Sequence, residues 1–119
     1  MHIKYYTKKG SVYVHTVDGS MNYWVKEDTD GEFHPIAEAL HISKARLLDL
    51  IKEYPSSLLD KTLAFDAGVE QEFFDDARRE PLEPFFDTEE TVILFMVKHD
   101  SDHYSIGCSS QVIKVEKVD

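Results

Sequence analysis

The stretch Pro35-Ile-Ala-Glu-Ala-Leu-His-Ile-Ser-Lys-Ala-Arg-Leu-Leu-Asp-Leu-Ile-Lys-Glu53 has the strongest helical pattern in the chain. Its Pro35 suits the first turn of a helix, where a missing N–H costs no hydrogen bond. Ser43 is a favoured N-cap residue, and Leu47 and Leu50 fall on one face of the helix that would follow it. The stretch therefore predicts a short helix, a tight turn, and a second helix that ends before Pro55.

Strand patterns flank this helical region. On its N-terminal side, residues 3–7, 11–17 and 21–26 predict three short strands. Asp18-Gly19 lies between the second and the third, and it is a hairpin signal because both residues tolerate a positive φ. We expect an antiparallel meander from this part of the chain.

The C-terminal side also predicts three strands. Residues 91–98 are a nearly continuous apolar run, which indicates a central strand covered on both faces, and residues 103–108 and 111–117 follow it. The predicted fold is α+β: strands from both ends of the chain form one antiparallel sheet, and the central helices pack on one face of it. Residues 1–119 have the length of one ordinary domain.

The region between the helical stretch and the C-terminal strands predicts further helix and a loop. Residues 69–79 can form a helix with an apolar stripe that includes Phe73 and Phe74. The spacing of Ser57 and Asp60 suggests another short helical segment before it. In the loop at residues 81–86, Leu82, Phe85 and Phe86 are expected to seal the chain onto the core.

Negative charge is concentrated in one segment. The chain has a formal net charge of -10, and residues 66–90 carry ten carboxylates against two arginines, a local net charge of -8. One interpretation is a solvated face, the second is a docking surface for a basic partner, and the third is a mimic of nucleic-acid charge. On the second interpretation, Glu72, Asp75 and Asp76 are the candidate contacts.

Signatures of cofactor, metal and membrane sites are missing from the sequence. The single cysteine, Cys108, cannot form an internal disulfide, and the five glycines are too scattered to form a phosphate-binding loop. Residues 99–103 contain two histidines and two aspartates, but they fall at a predicted hairpin turn and indicate a solvated turn. No signal peptide or membrane span is recognisable, so we expect a cytoplasmic protein without a bound cofactor or metal.

Residues 36–51 resemble the helix-turn-helix element of bacterial and archaeal repressors and of MerR-like or excisionase-like proteins. The match includes Ala37 at the helix crossing, Leu40 and Ile42 around the turn, Ser43 opening the second helix, and Leu47 with Leu50 facing the core. The resemblance implies that the second helix enters the major groove of DNA. The residues it would direct at DNA are Lys44, Ala45 and Arg46.

Three classes of function follow from these patterns. The leading hypothesis is a non-enzymatic protein-interaction or regulatory module, because no catalytic constellation is recognisable. The alternative is a helix-turn-helix transcriptional regulator. A small enzyme would require a pocket that gathers distant residues, for example Tyr13, His15, Trp24 and His103.

Overall fold

The elements of the fold are defined by a computed structural model, which describes residues 1–54, 58, 65–79, 90–100 and 102–118, with residues 65–70 described by their backbone alone. Its strands are β1 (His2–Thr7), β2 (Val12–Asp18), β3 (Met21–Glu27), β4 (Phe33–Ile36), β5 (Glu38–Ser43), β6 (Phe65–Asp66), β7 (Thr91–Lys98), β8 (His103–Cys108) and β9 (Val112–Val118). Its helices are α1 (Lys44–Ile51) and α2 (Ala67–Ala77). Neither of these two helices is long and apolar enough to cross a membrane. The fold is α+β, and strands account for most of it.

The strands form two antiparallel sheets. Sheet A has the order β4-β3-β2-β1-β9, and sheet B has the order β5-β7-β8-β6. The predicted antiparallel pairing is confirmed, but the prediction of a single sheet is wrong. Only β9 among the C-terminal strands joins the N-terminal strands, while β7 and β8 form the second sheet with β5 and β6.

The apolar sequence of β7 explains why two sheets form. Successive side chains of a strand point to opposite faces. Val92 and Leu94 lie in a core between sheet B and the helices, whereas Ile93 and Phe95 lie in a second core between the sheets. The helices can cover only one face of β7, so sheet A covers the other. The prediction of a strand covered on both faces is confirmed.

The helix predicted for residues 35–41 is wrong, because these residues lie in β4 and β5. In β5, Ala39 and His41 face the core between the sheets, while Leu40 and Ile42 face the helices. Both faces are covered, so apolar residues occur at consecutive positions and satisfy a helical spacing as well as a strand. Pairing with β7 and burial between sheet A and the helices decide between the two patterns, as tertiary context often does.

Pro35 fits β4 for a reason that also defines the edge of sheet A. Asp28 N donates to Glu32 O at 2.8 Å, and Trp24 lies opposite Ile36, so the even-numbered residues of β4 are the ones that bond to β3. The nitrogen of Pro35 therefore points to the open edge, where the missing N–H costs no ladder hydrogen bond.

Several local predictions are confirmed. The N-terminal meander forms, and Gly19 has a φ of +59° in the turn between β2 and β3. Ser43 caps α1, with its hydroxyl accepting from Arg46 N at 3.1 Å. The helix predicted for residues 69–79 is α2, which buries Phe73 and Phe74. The predictions for Ser57 with Asp60 and for Leu82, Phe85 and Phe86 fall outside the described residues.

We expect adjacent residues of β7 to contribute comparably to stability, because each fills a different core. Ile93 and Leu94 are both fully buried. Replacing either with alanine should lower the free energy of unfolding by about 2 to 5 kcal/mol, measured by urea denaturation. Ile113→Ala is the control, because Ile113 is 62% exposed, and its effect should stay within about 0.5 kcal/mol. A small effect at either β7 position would contradict the two-core arrangement.

Candidate functional site

A large cavity opens where the chain passes from β4 in sheet A to β5 in sheet B. β4 pairs with β3 as far as Ile36, and β5 then pairs with β7 from Glu38 onward. Because the chain crosses at Ala37, the edges of β3 and β5 diverge and leave a cleft of about 560 Å³. We call it the fork cleft. The cleft is lined by residues of sheet A, by the segment that crosses to sheet B, and by the residue that follows α2. These residues are Tyr5, His15, residues 22–24, residues 36–41 and Arg78.

Four aromatic rings form a continuous series along the fork cleft. His15 and Trp24 are cross-strand neighbours, and their rings stack at 4.3 Å with an angle of 4° between their planes. Tyr5 stacks on Trp24 at 5.4 Å and contacts the ring of His41 at 5.1 Å. This series joins sheet A to sheet B across the cleft. Trp24 is half-buried within it.

The Tyr5 hydroxyl is a polar group that the protein itself leaves unused. Tyr5 is only 2% exposed, and its hydroxyl makes no hydrogen bond within the described part of the chain. Burial raises the pKa of the phenol to about 12, so the hydroxyl remains protonated at neutral pH. It can therefore donate a hydrogen bond to a ligand in the cleft.

His41 is buried beside Tyr5 and is only 4% exposed. Its Nε2 is hydrogen-bonded to Thr91 Oγ1 at 2.8 Å, while Nδ1 has no partner among the described residues. Burial lowers the pKa of His41 from 6.5 to about 4, which keeps the imidazole neutral at pH 7. The helical pattern of residues 35–53 predicts a turn between two helices at His41, whereas the structure buries this side chain in β5.

An ion pair lies at the rim of the fork cleft. Arg78, just beyond the end of α2, pairs with Glu38 of β5, and its guanidinium also lies 3.6 Å from Asp75 Oδ1. The same guanidinium lies over the ring of Phe74, 5.8 Å from its centroid. These contacts tie α2 to the β5 edge. They also place a cation and an anion where a ligand in the cleft could reach them.

The three residues predicted to contact DNA lie at the start of α1. Lys44 and Ala45 are exposed, whereas Arg46 is half-buried and donates from a guanidinium nitrogen to Asp76 O at 3.3 Å. Arg46 therefore packs against the C-terminal end of α2. Of the two predicted helices only the second is present as a helix, and DNA binding by Lys44, Ala45 and Arg46 stays a prediction.

The candidate acidic contacts lie on α2 and differ in their surroundings. Glu72 is exposed to solvent. Asp75 is paired with Arg78, and Asp76 lies 3.2 Å from Arg79 and accepts a hydrogen bond from the Tyr54 hydroxyl. Burial, with a contribution from the Asp76 carboxylate, raises the pKa of Tyr54. Two of the three carboxylates are therefore already engaged within the chain.

The pocket imagined for a small enzyme is assembled only in part. His15 and Trp24 both line the fork cleft. Tyr13 is buried against Phe95, and His103 is the first residue of β8, with Nδ1 3.0 Å from Asp100 Oδ1. Tyr5, Glu38 and Arg78 were not anticipated as site residues. The hairpin register that places His15 opposite Trp24 was the only signal in the sequence that could have located the cleft.

Neither a metal-binding group among the described residues nor a related protein indicates what chemistry this protein performs. Within the described residues, no group of three His, Cys, Asp or Glu side chains could hold a metal ion. At the predicted solvated turn, the two histidines have different hydrogen-bond partners. His99 Nε2 is hydrogen-bonded to Ser105 Oγ at 2.8 Å, and His103 Nδ1 is hydrogen-bonded to Asp100 Oδ1 at 3.0 Å. Comparisons of the chain with protein-family models, curated proteins and solved structures gave no match.

We expect His41 to make folding sensitive to mild acid. The imidazole titrates near pH 6.5 in the unfolded chain and near pH 4 in the folded one. The unfolded state therefore binds more protons in this range, and the free energy of unfolding falls as the pH drops from 7 toward 4. In His41→Gln, whose amide can still reach Thr91, the loss between pH 7 and pH 5 should be smaller by about 2 kcal/mol. Equal losses in the two proteins, measured by urea denaturation, would contradict the assignment.

Proposed function

We propose that the protein is a non-enzymatic interaction module that binds a partner in the fork cleft. The observation that carries the proposal is the unused hydroxyl of Tyr5, a residue that lines the cleft together with aromatic rings and the Arg78 and Glu38 ion pair. A concave site with an apolar body and a few convergent polar groups is the usual form of a binding site.

The state of the two cleft histidines supports binding over catalysis. His15 is stacked on Trp24, and its Nε2 is hydrogen-bonded to Asn22 Oδ1 at 2.6 Å. His41 is neutral at pH 7, bonded to Thr91 and buried. A histidine that acts as a general acid or base needs a ring nitrogen within reach of the substrate. Both rings instead stabilise the walls of the cleft.

Charge compensation favours the fork cleft over the acidic face of α2 as the binding site. Asp75 and Asp76 each have an arginine partner, so the field that they present to a basic partner is reduced. Of the three predicted contacts, only Glu72 has no arginine partner among the described residues. We therefore assign to the face of α2 a minor part in partner binding.

Filling the cleft should abolish partner binding. Ala37 is exposed and lines the cleft, so Ala37→Trp places an indole in the space that the partner would occupy. Fragments encoded by the genome of the source organism can be displayed and selected on the wild-type protein. We expect selected fragments to lose at least about tenfold in affinity for Ala37→Trp, or about 1.4 kcal/mol.

Two variants provide controls for that selection. Ala45→Trp makes the same change at an exposed alanine of α1, and Glu72→Lys reverses a charge on α2. Both should bind the selected fragments within about twofold of the wild-type affinity, because surface changes away from an interface cost little. Loss of binding in either control with full binding by Ala37→Trp would move the interaction to that helix. Fragments that bind all variants equally would overturn the proposal.

A further inference from the structure

Sheet edges differ in how well they are protected from pairing with another chain. Short strands, proline, charged side chains and bulges all block edge pairing. At the outer edges of sheet A, β4 is short and contains Pro35, while β9 carries Lys114, Glu116 and Lys117 and pairs with β1 through a register shift. At one edge of sheet B, β6 has only two residues.

The remaining edge, β5, has none of these protections along most of its length. It has six residues, of which only the first, Glu38, is an acid or a lysine or arginine, and its register with β7 is regular. The same strand forms one wall of the fork cleft from Glu38 to His41. The least protected edge in the described part of the fold therefore lies inside a cavity.

The hydrogen-bond pattern of sheet B shows which backbone groups of β5 face the cleft. Ser109 N donates to Ile93 O at 2.9 Å, so the odd-numbered residues of β7 bond to β8 and the even-numbered ones bond to β5. Lys44 N donates to Glu90 O at 2.9 Å and continues the same alternation.

The partners of Leu94 and Val92 in β5 are Leu40 and Ile42. It follows that the N–H and C=O groups of Ala39 and His41 point away from β7. Neither residue has a strand partner on that side within the described residues.

The opposite wall of the cleft has a matching open edge. Even-numbered residues of β3 direct their backbone groups toward β4, as the pairing of Trp24 with Ile36 shows. Asn22 has the same parity, but at this level the chain has left β4 and continues as β5 in sheet B. Its backbone N–H and C=O therefore also point toward the cleft.

We infer that the fork cleft binds an extended peptide that adds to the β5 edge of sheet B as a further strand. Strand addition uses main-chain hydrogen bonds for affinity and alternate side chains for specificity. The Ala39 and His41 backbone would supply the main-chain bonds. Side chains on the inner face of the peptide would meet Tyr5 and Trp24, so we expect apolar or aromatic residues there.

Charge complementarity specifies the flanks of the peptide. The net charge of -10 attracts cations at long range, so basic residues outside the paired segment would speed association. The inference rests on the proposed function, because it specifies the kind of partner that the same cleft receives.

The test uses random displayed peptides about ten residues long, a length that covers a typical strand. Selected peptides are resynthesised with an N-methyl group at one backbone position at a time. Methylation removes a main-chain donor, so the affinity of the peptide should fall at least about tenfold at every second position of the paired segment, with little change at the positions between.

Amide hydrogen exchange of the whole protein provides the second measurement. On peptide binding it should slow by about tenfold or more at Ala39 and His41, and much less at Leu40 and Ile42, which already bond to β7.

Each alternative outcome overturns the inference in a different way. One outcome is that genomic fragments bind the wild type but not Ala37→Trp, while no random peptide is selected. The proposed function would then stand, and strand addition would be excluded. Peptides whose N-methyl sensitivity lacks the two-residue period would do the same. Without peptide, amide hydrogen exchange at Ala39 and His41 that slows as the protein concentration rises would show that a second copy of the chain occupies the edge. Peptides that bind Ala37→Trp as tightly as the wild type would place the binding outside the cleft.

Discussion

Burial of both faces of β7 is the constraint on which the rest of the structure depends. Residues 91–96 are all less than 7% exposed, and consecutive side chains of a strand cannot share one face. The helices cover one side, and sheet A is needed on the other. Gly107 contributes to this arrangement, because a Cβ at that position would lie 2.8 Å from the Phe95 ring. The ring instead lies directly over its glycine neighbour in β8.

The passage of the chain through Ala37 links the two sheets and creates the fork cleft. If β4 and β5 were one strand of sheet A, β3 would be paired along its whole length. By crossing early, the chain gives β5 to sheet B and leaves Asn22 at an open edge. The cavity is thus a consequence of sheet topology, and its walls are held by the same strands that cover the core. Because these strands are already paired within their sheets, we expect little rearrangement of the walls when a ligand binds, which would lower the entropic cost of binding.

Local signals predicted much of the fold, but the division into two sheets depended on tertiary contacts. Asp18-Gly19 specifies a hairpin and Ser43 specifies a helix start, because each acts on the adjacent backbone alone. Residues 36–43 could not be assigned in this way, since their apolar spacing fits both a helix and a doubly buried strand. The candidate site was harder still. Tyr5 and Arg78 lie far apart in the sequence, and they meet in one cleft through the packing of sheet A on sheet B and the ion pair of Arg78 with Glu38.

The pairing of β1 with β9 has a consequence for how the chain folds. His2 lies opposite Val118, and the Tyr6 hydroxyl donates to Glu116 at 3.1 Å across 110 residues of sequence. Contacts of such long separation are formed late and slow the folding of β-rich proteins. A nascent chain that has emerged only through β8 leaves one edge of β1 without its partner. During synthesis that edge is a template for aggregation, and residues 112–118 remove the hazard when they arrive.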